Sequence, residues 1–128
     1  MGRVRTNIKI NGQDCWTLFD RGSRNTYILE DIASSLPLFE IDKPQPVALG
    51  GKVHKVVKFC MLFCLVEGLP VQTHARVLEK IGVDEEGKRI EVLIGALTMQ
   101  EWGIRPLPDE ERLDMTCYPK EFVEFVGD

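Results

Sequence analysis

Thr17-Leu18-Phe19-Asp20-Arg21-Gly22-Ser23-Arg24-Asn25-Thr26-Tyr27-Ile28 is the stretch that decides the fold. An apolar run leads straight into an acid and then into a glycine turn. No other Asp-x-Gly occurs in the sequence. A carboxylate at the mouth of a buried strand is unfavourable unless it is paired, hydrogen-bonded or put to use. One reading of Asp20 is therefore a turn acid that bonds its own loop. The other is a working carboxylate.

Outward from that stretch the pattern is that of strands. Upstream, Val4, Thr6, Ile8 and Ile10 alternate with Arg5, Asn7 and Lys9, the period of a half-buried strand. Asn11-Gly12 predicts a tight hairpin turn, since both residues tolerate positive φ. Cys15 to Phe19 then returns and delivers Asp20 to the end of the sheet. Downstream, Ile28, Ile32 and Leu36 have helical spacing, with Glu30 and Asp31 early and Pro37 as a stop, which predicts a short helix over 29–35. Pro44 and Pro46 are expected to break the chain. Val47 to Val53 reads as a hairpin with a Gly50-Gly51 tip.

Val56 to Val66 is almost continuously apolar and predicts a strand buried on both faces. Glu67 to Pro70 is a turn. Val71, Thr73, Ala75 and Val77 form the next alternating strand. Residues 79–89 are charged and carry two glycines, which predicts an exposed loop. Ile90 to Ile94 is a strand ended by Gly95, and Leu97 to Trp102 a short helix stopped by Gly103. Pro106 to Arg112 is an acidic, solvated connection that holds Asp109, Glu110 and Glu111. Leu113, Met115 and Cys117 alternate as a strand. In the tail, Phe122, Phe125 and Val126 fit a helix, while Val123 and Phe125 also fit a strand.

The 128 residues suit one domain, 1–128, of ordinary globular composition: 44% hydrophobic and 28% charged. A net charge of −4 gives no basic field for nucleic acid. The longest apolar run, Phe59 to Val66, falls far short of the ~20 residues of a membrane helix. Met1-Gly2-Arg3-Val4-Arg5 has no apolar segment behind it and does not read as a signal peptide. Gly2 and Thr6 fit a myristoylation pattern, but the same residues serve a first strand. Cys15, Cys60, Cys64 and Cys117 make no C-x-x-C pair. They are expected to be buried, reduced residues, which suggests the cytoplasm.

With these residues quoted, the chain resembles the retropepsin-like aspartic proteases over roughly residues 4–106. Their signature is a hydrophobic pair, Asp-Thr-Gly and a small residue. Leu18-Phe19-Asp20 and Gly22-Ser23 match it, and Arg21 stands at the Thr position. Val92-Leu93-Ile94-Gly95-Ala96-Leu97 matches the family's second apolar run with its glycine and following helix. The resemblance implies a mostly β, closed-barrel acid-protease fold with one or two short helices, one lobe per chain. It implies a homodimeric endopeptidase that cuts extended peptide or protein substrates. Asp20 from each subunit would activate a water, with no metal or organic cofactor.

Other positions take roles from the resemblance in the same way. Gly22 permits the tight loop, and Ser23 places a hydroxyl or backbone group near the substrate main chain. Leu49, Gly50, Gly51 and Lys52 are the flap that closes over peptide. In the support loop of Ile94, Gly95 and Ala96, the glycine crosses beneath the active-site loop where only a hydrogen fits. The terminal strands of two subunits would interleave.

Arg21 departs from the pattern in a way with chemical consequences. In the family the Thr hydroxyl accepts a bond across the dimer. A guanidinium has five donors and no acceptor. Near the Asp20 pair it would favour two ionised carboxylates over a shared proton. Turned outward, it would leave the pair alone. The second functional reading is thus a dimer impaired in catalysis that binds peptides or proteins in the same groove; a purely structural dimerisation module is the third. His54 and His74 lack a Ser, Cys or acid partner at a telling spacing, and Trp16 and Trp102 read as core or interface aromatics.

Overall fold

The structure is a computed structural model and describes residues 3–120. Gly2 and the tail positions Phe122, Val123, Phe125 and Val126 lie outside the described residues. Strand β1 (Arg3–Ile10) turns at Asn11-Gly12, with φ of 51° and 80°, into β2 (Gln13–Asp20). Their antiparallel register is unbroken from Ile10↔Gln13 to Arg3↔Asp20. The turn chemistry therefore sets which residue faces Asp20.

After the loop come β3 (Tyr27–Leu29) and the one-turn helix α1 (Glu30–Ala33). Three long strands follow: β4 (Leu38–Leu49), β5 (Lys52–Val66) and β6 (Leu69–Leu78). Then come β7 (Val92–Ile94), α2 (Ala96–Trp102), β8 (Arg105–Leu107) and, after a 3-10 turn at Pro108–Glu110, β9 (Arg112–Asp114). The main sheet runs β1-β2-β7-β3-β6-β5-β4, and Lys9↔Leu65 also brings β5 to β1. β7 is parallel to β2 and antiparallel to β3. The short β7 is thus wedged between the strand entering the Asp20 loop and the strand leaving it.

Alternation sends the two sides of β2 into two clusters. Cys15 and Phe19 join the larger core of Val4, Ile8, Ile28, Leu62, Val71 and Ile94. Leu18 joins a smaller one with Tyr27, Val56, Leu78, Ile90 and Leu93. Apolar contact on both faces makes β2, β3 and β7 the rigid part of the sheet.

Four expectations need correction. Pro44 and Pro46 do not break the chain: they lie within β4, where pairing to β5 is interrupted between Glu40 and Gln45. β4 ends the sheet, and an edge strand tolerates residues that cannot donate to a ladder. The central apolar strand is not buried on both faces. Val56, Cys60, Leu62, Cys64 and Val66 point inward, while Val57, Phe63 and Leu65 are 46%, 45% and 42% exposed. The apolar run misled because outward positions of this half-covered strand are also apolar. Cys117 is exposed, and only Cys15, Cys60 and Cys64 are buried. Beyond the first residues of the 113–117 segment, the strand stops at Asp114.

The two helices fall where expected, and Gly50 and Gly51 (φ 59° and 78°) turn the β4–β5 hairpin. Leu62 and Phe63 give a direct test of the one-sided reading. Leu62→Ala is expected to lower unfolding free energy by about 2–5 kcal/mol, and Phe63→Ala by roughly 1 kcal/mol or less, in urea denaturation.

Candidate active site

Asp20 is the last residue of β2 and is half-buried. The Gly22 N–H donates to its Oδ1 at 2.8 Å, and the Ser23 N–H to its backbone carbonyl at 3.1 Å. A Cβ at Gly22 would sit 3.1 Å from that same Oδ1, so the glycine keeps the carboxylate's near side open. Among the described residues no cation is within ion-pair distance of Asp20. Arg3, directly across the hairpin, instead holds Glu85.

The loop is fixed from below by Gly95. Phe19↔Ile94 pairing brings the end of β7 beside Asp20. The chain then crosses so closely that a Cβ at Gly95 would overlap the carbonyl group of Asn25 and the carbonyl carbon of Arg24. The Ala96 N–H donates to Ser23 O at 2.7 Å and the Leu97 N–H to Arg24 O at 3.1 Å. These donors are the otherwise unpaired amides of the first turn of α2. The loop carbonyls therefore satisfy the helix start, and the helix start orients the loop.

Sequence reasoning missed a hydroxyl chain beneath this crossing. The Gly95 N–H donates to Thr26 Oγ1 at 3.1 Å, Thr26 and Thr98 hydroxyls are 2.7 Å apart, and those of Thr98 and Thr73 are 2.8 Å apart. Thr26 and Thr98 are buried, 2% and 4% exposed. The available signal was a threonine just after the loop and another three residues past Gly95, on the inward side of the helix.

The predicted residues fall into two groups. Asp20, Arg21, Gly22 and Ser23 meet Ile94, Gly95 and Ala96. Ser23 spends its hydroxyl inside the loop, donating to Asn25 O at 2.9 Å. Arg21 is exposed and makes no ion pair among the described residues. Gly50, Gly51 and Lys52 form an exposed tip, and no hydrogen bond among the described residues joins them to the Asp20 loop. Leu49, at the base of that tip, packs on the cluster containing Leu18.

The fold has a solved counterpart. The chain is similar to the crystal structure of the retroviral protease-like domain of Ddi1 from Leishmania major. The TM-score is 0.64 at 14% identity, over 91% of this chain and 90% of that one. The fold is that of a retroviral protease-like domain. No family model matches the sequence, and no curated protein matches it. At that identity the likeness fixes the mostly β fold, and chemistry must be argued from the residues.

Within the retroviral protease-like fold, the loop of residues 79–89 is less free than its composition suggests. The Asp84 carboxylate accepts from the Glu86 and Lys88 N–H groups at 2.9 Å and from Trp16 Nε1 at 2.8 Å. Arg5 lies 3.5 Å from it and 3.2 Å from Glu85. Lys88 sits over the Trp16 ring, 3.9 Å from its centroid. Trp16, expected as a core or interface aromatic, is thus the peg for this loop. Trp102 stacks on Tyr118 and donates to Gln72 O.

Burial pushes the thiols of Cys15 and Cys60 up to about 11 and that of Cys64 to about 12, so none is a nucleophile at neutral pH. Among the described residues no group of three or more His, Cys, Asp or Glu side chains is placed to hold a metal. Among them, too, no helix is long and apolar enough to cross a membrane.

Two predictions follow from these contacts. Gly95→Ala is expected to destabilise the fold by at least about 3 kcal/mol in chemical denaturation, because backbone rather than a flexible side chain blocks the added methyl. The Lys88 N–H, and after it the Trp16 indole, hold the Asp84 carboxyl below its ordinary value. A depressed folded-state value means the stabilisation is whole above about pH 4 and is lost as pH falls further. Asp84→Asn is therefore expected to lower Tm at pH 7 and to shrink the Tm difference between pH 7 and pH 3.

Proposed function

We propose that two copies of this chain form an aspartic endopeptidase, with Asp20 of each subunit meeting its twin across a two-fold axis. The observation that carries this reading is the state of Asp20. Its carboxylate ends a strand covered on both faces, rests on a backbone amide, and is claimed by no cation among the described residues. A turn acid would need only the amide. The β7–α2 crossing and its hydroxyl chain go further and immobilise the loop on which the acid stands.

The chemistry needs a second carboxylate, and a two-fold axis supplies one. Two carboxylates in contact cannot both stay ionised, so a pair shares one proton. The ionised member takes a proton from water as the oxygen attacks the peptide carbonyl carbon. The protonated member donates to the carbonyl oxygen. Collapse of the tetrahedral intermediate breaks the C–N bond: the protonated member gives its proton to the leaving amine, and the ionised member takes one from a hydroxyl of the intermediate as the carboxyl C=O forms, which restores the singly protonated pair. Substrate would lie extended, held through its backbone. The glycine-tipped β4–β5 hairpin is the flap of this reading, since glycines let backbone approach a ligand closely. The Lys9–Leu65 pairing supports closure of the sheet into a barrel. Three buried thiols suit a reducing compartment such as the cytoplasm.

Arg21 favours a second reading, a dimer that binds peptide without cutting it. A guanidinium cannot accept the hydrogen bond that a threonine hydroxyl would take. Turnover separates the two. On the peptidase reading, the native chain cleaves extended peptides between about pH 4 and 7, and Asp20→Asn abolishes cleavage. A native chain that binds peptide but gains cleavage only with Arg21→Thr establishes the binding module instead.

A further inference from the structure

The arginines of this chain mostly find partners. Arg3, Arg5, Arg89 and Arg112 each hold a carboxylate, and the Arg76 guanidinium lies 4.9 Å from the centroid of the Phe59 ring. Arg105 of β8, Arg21 and Arg24 do neither among the described residues, and all are exposed; Arg21 and Arg24 are the two that follow Asp20. They lie in the five-residue loop 21–25, which holds no acid of its own, in a chain whose net charge is −4. The loop backbone is pinned: Ser23 O and Arg24 O accept from α2, and Ser23 Oγ is bonded to Asn25 O. Two cationic side chains thus stand on a fixed frame, one and four residues past the carboxylate.

From this juxtaposition we infer that the site selects acidic peptides, with Arg24 as the specificity-determining residue for an Asp or Glu flanking the scissile bond. The inference rests on the groove of the preceding reading but not on turnover. A free guanidinium on a rigid loop offers a planar two-point fit to a carboxylate. It loses little freedom beyond its own side chain on binding. Twofold symmetry would place four such groups around one pair of acids, a local positive field on an otherwise acidic protein. At about 3.3 Å per residue, three positions span roughly 10 Å of extended substrate on each side of the cut. Acidic side chains in that window are the ones the loop can reach.

The test uses the full chain carrying Asp20→Asn, so that binding is read whether or not the native chain cuts. Fluorescence anisotropy is measured with matched extended peptides bearing Glu, Gln or Lys at positions within three residues of the central bond. The Glu peptide is expected to bind about tenfold tighter than the Gln peptide, with the Lys peptide weakest, and the gap should narrow at 0.5 M salt. Arg24→Glu in the same background is expected to reverse the order, with its circular dichroism unchanged. Arg24→Lys should keep the sign and reduce the ratio. Equal binding of the three peptides, or an order unmoved by Arg24→Glu, overturns the inference; the first result would mean that carboxylates of the protein itself neutralise the loop. Preference without cleavage by the native chain would sink the peptidase reading and leave this one standing.

Discussion

The constraint on which the rest depends is the close passage of one backbone beneath another. At Gly95 the chain runs against the Asn25 carbonyl with no room for a side chain, and the next two amides bond the carbonyls of Ser23 and Arg24. A loop that projects from a sheet end is ordinarily among the softer parts of a protein. Here it is clamped from one side by a helix start and from the other by β2, whose two faces are both packed. The carboxylate at its head inherits that rigidity. Catalysis by positioned groups requires such a fixed frame, since a displacement of about 1 Å can remove a hundredfold in rate.

The sequence showed this frame in part. Asp20, Gly22 and Gly95 were legible because each has a local signature: an acid at a strand end, a glycine turn, a glycine closing an apolar run. The β1–β2 register was legible because Asn11-Gly12 leaves almost no choice of turn. The Thr26–Thr98–Thr73 chain was not, since nothing in the spacing of three threonines says that a fold will stack them. Asp84 was likewise read as part of a solvated loop, because composition does not reveal that Trp16, distant in sequence, brings its indole N–H to that carboxylate. Pro44 and Pro46 misled for a topological reason: they sit in the strand that ends the sheet, where a missing donor is tolerated.

Arg21 is where the local rule of the resembling family and this chain part. An arginine beside a paired acid is unhelpful to a shared proton yet useful to a groove that must hold an anionic ligand. Both effects come from the same charge, and both weaken as the guanidinium swings away from the axis. The fold tolerates either because the loop backbone, not this side chain, carries the clamp.

The central claim is that one water is worked by acids from two molecules. Mixing settles it. Native subunits are combined with increasing amounts of D20N subunits, exchanged to equilibrium, and assayed for peptide cleavage at fixed total protein. If each site needs both acids, activity falls as the square of the native fraction, to about a quarter at equal mixing. A linear fall, to about half, would mean that each chain acts with its own carboxylate alone and would contradict the account.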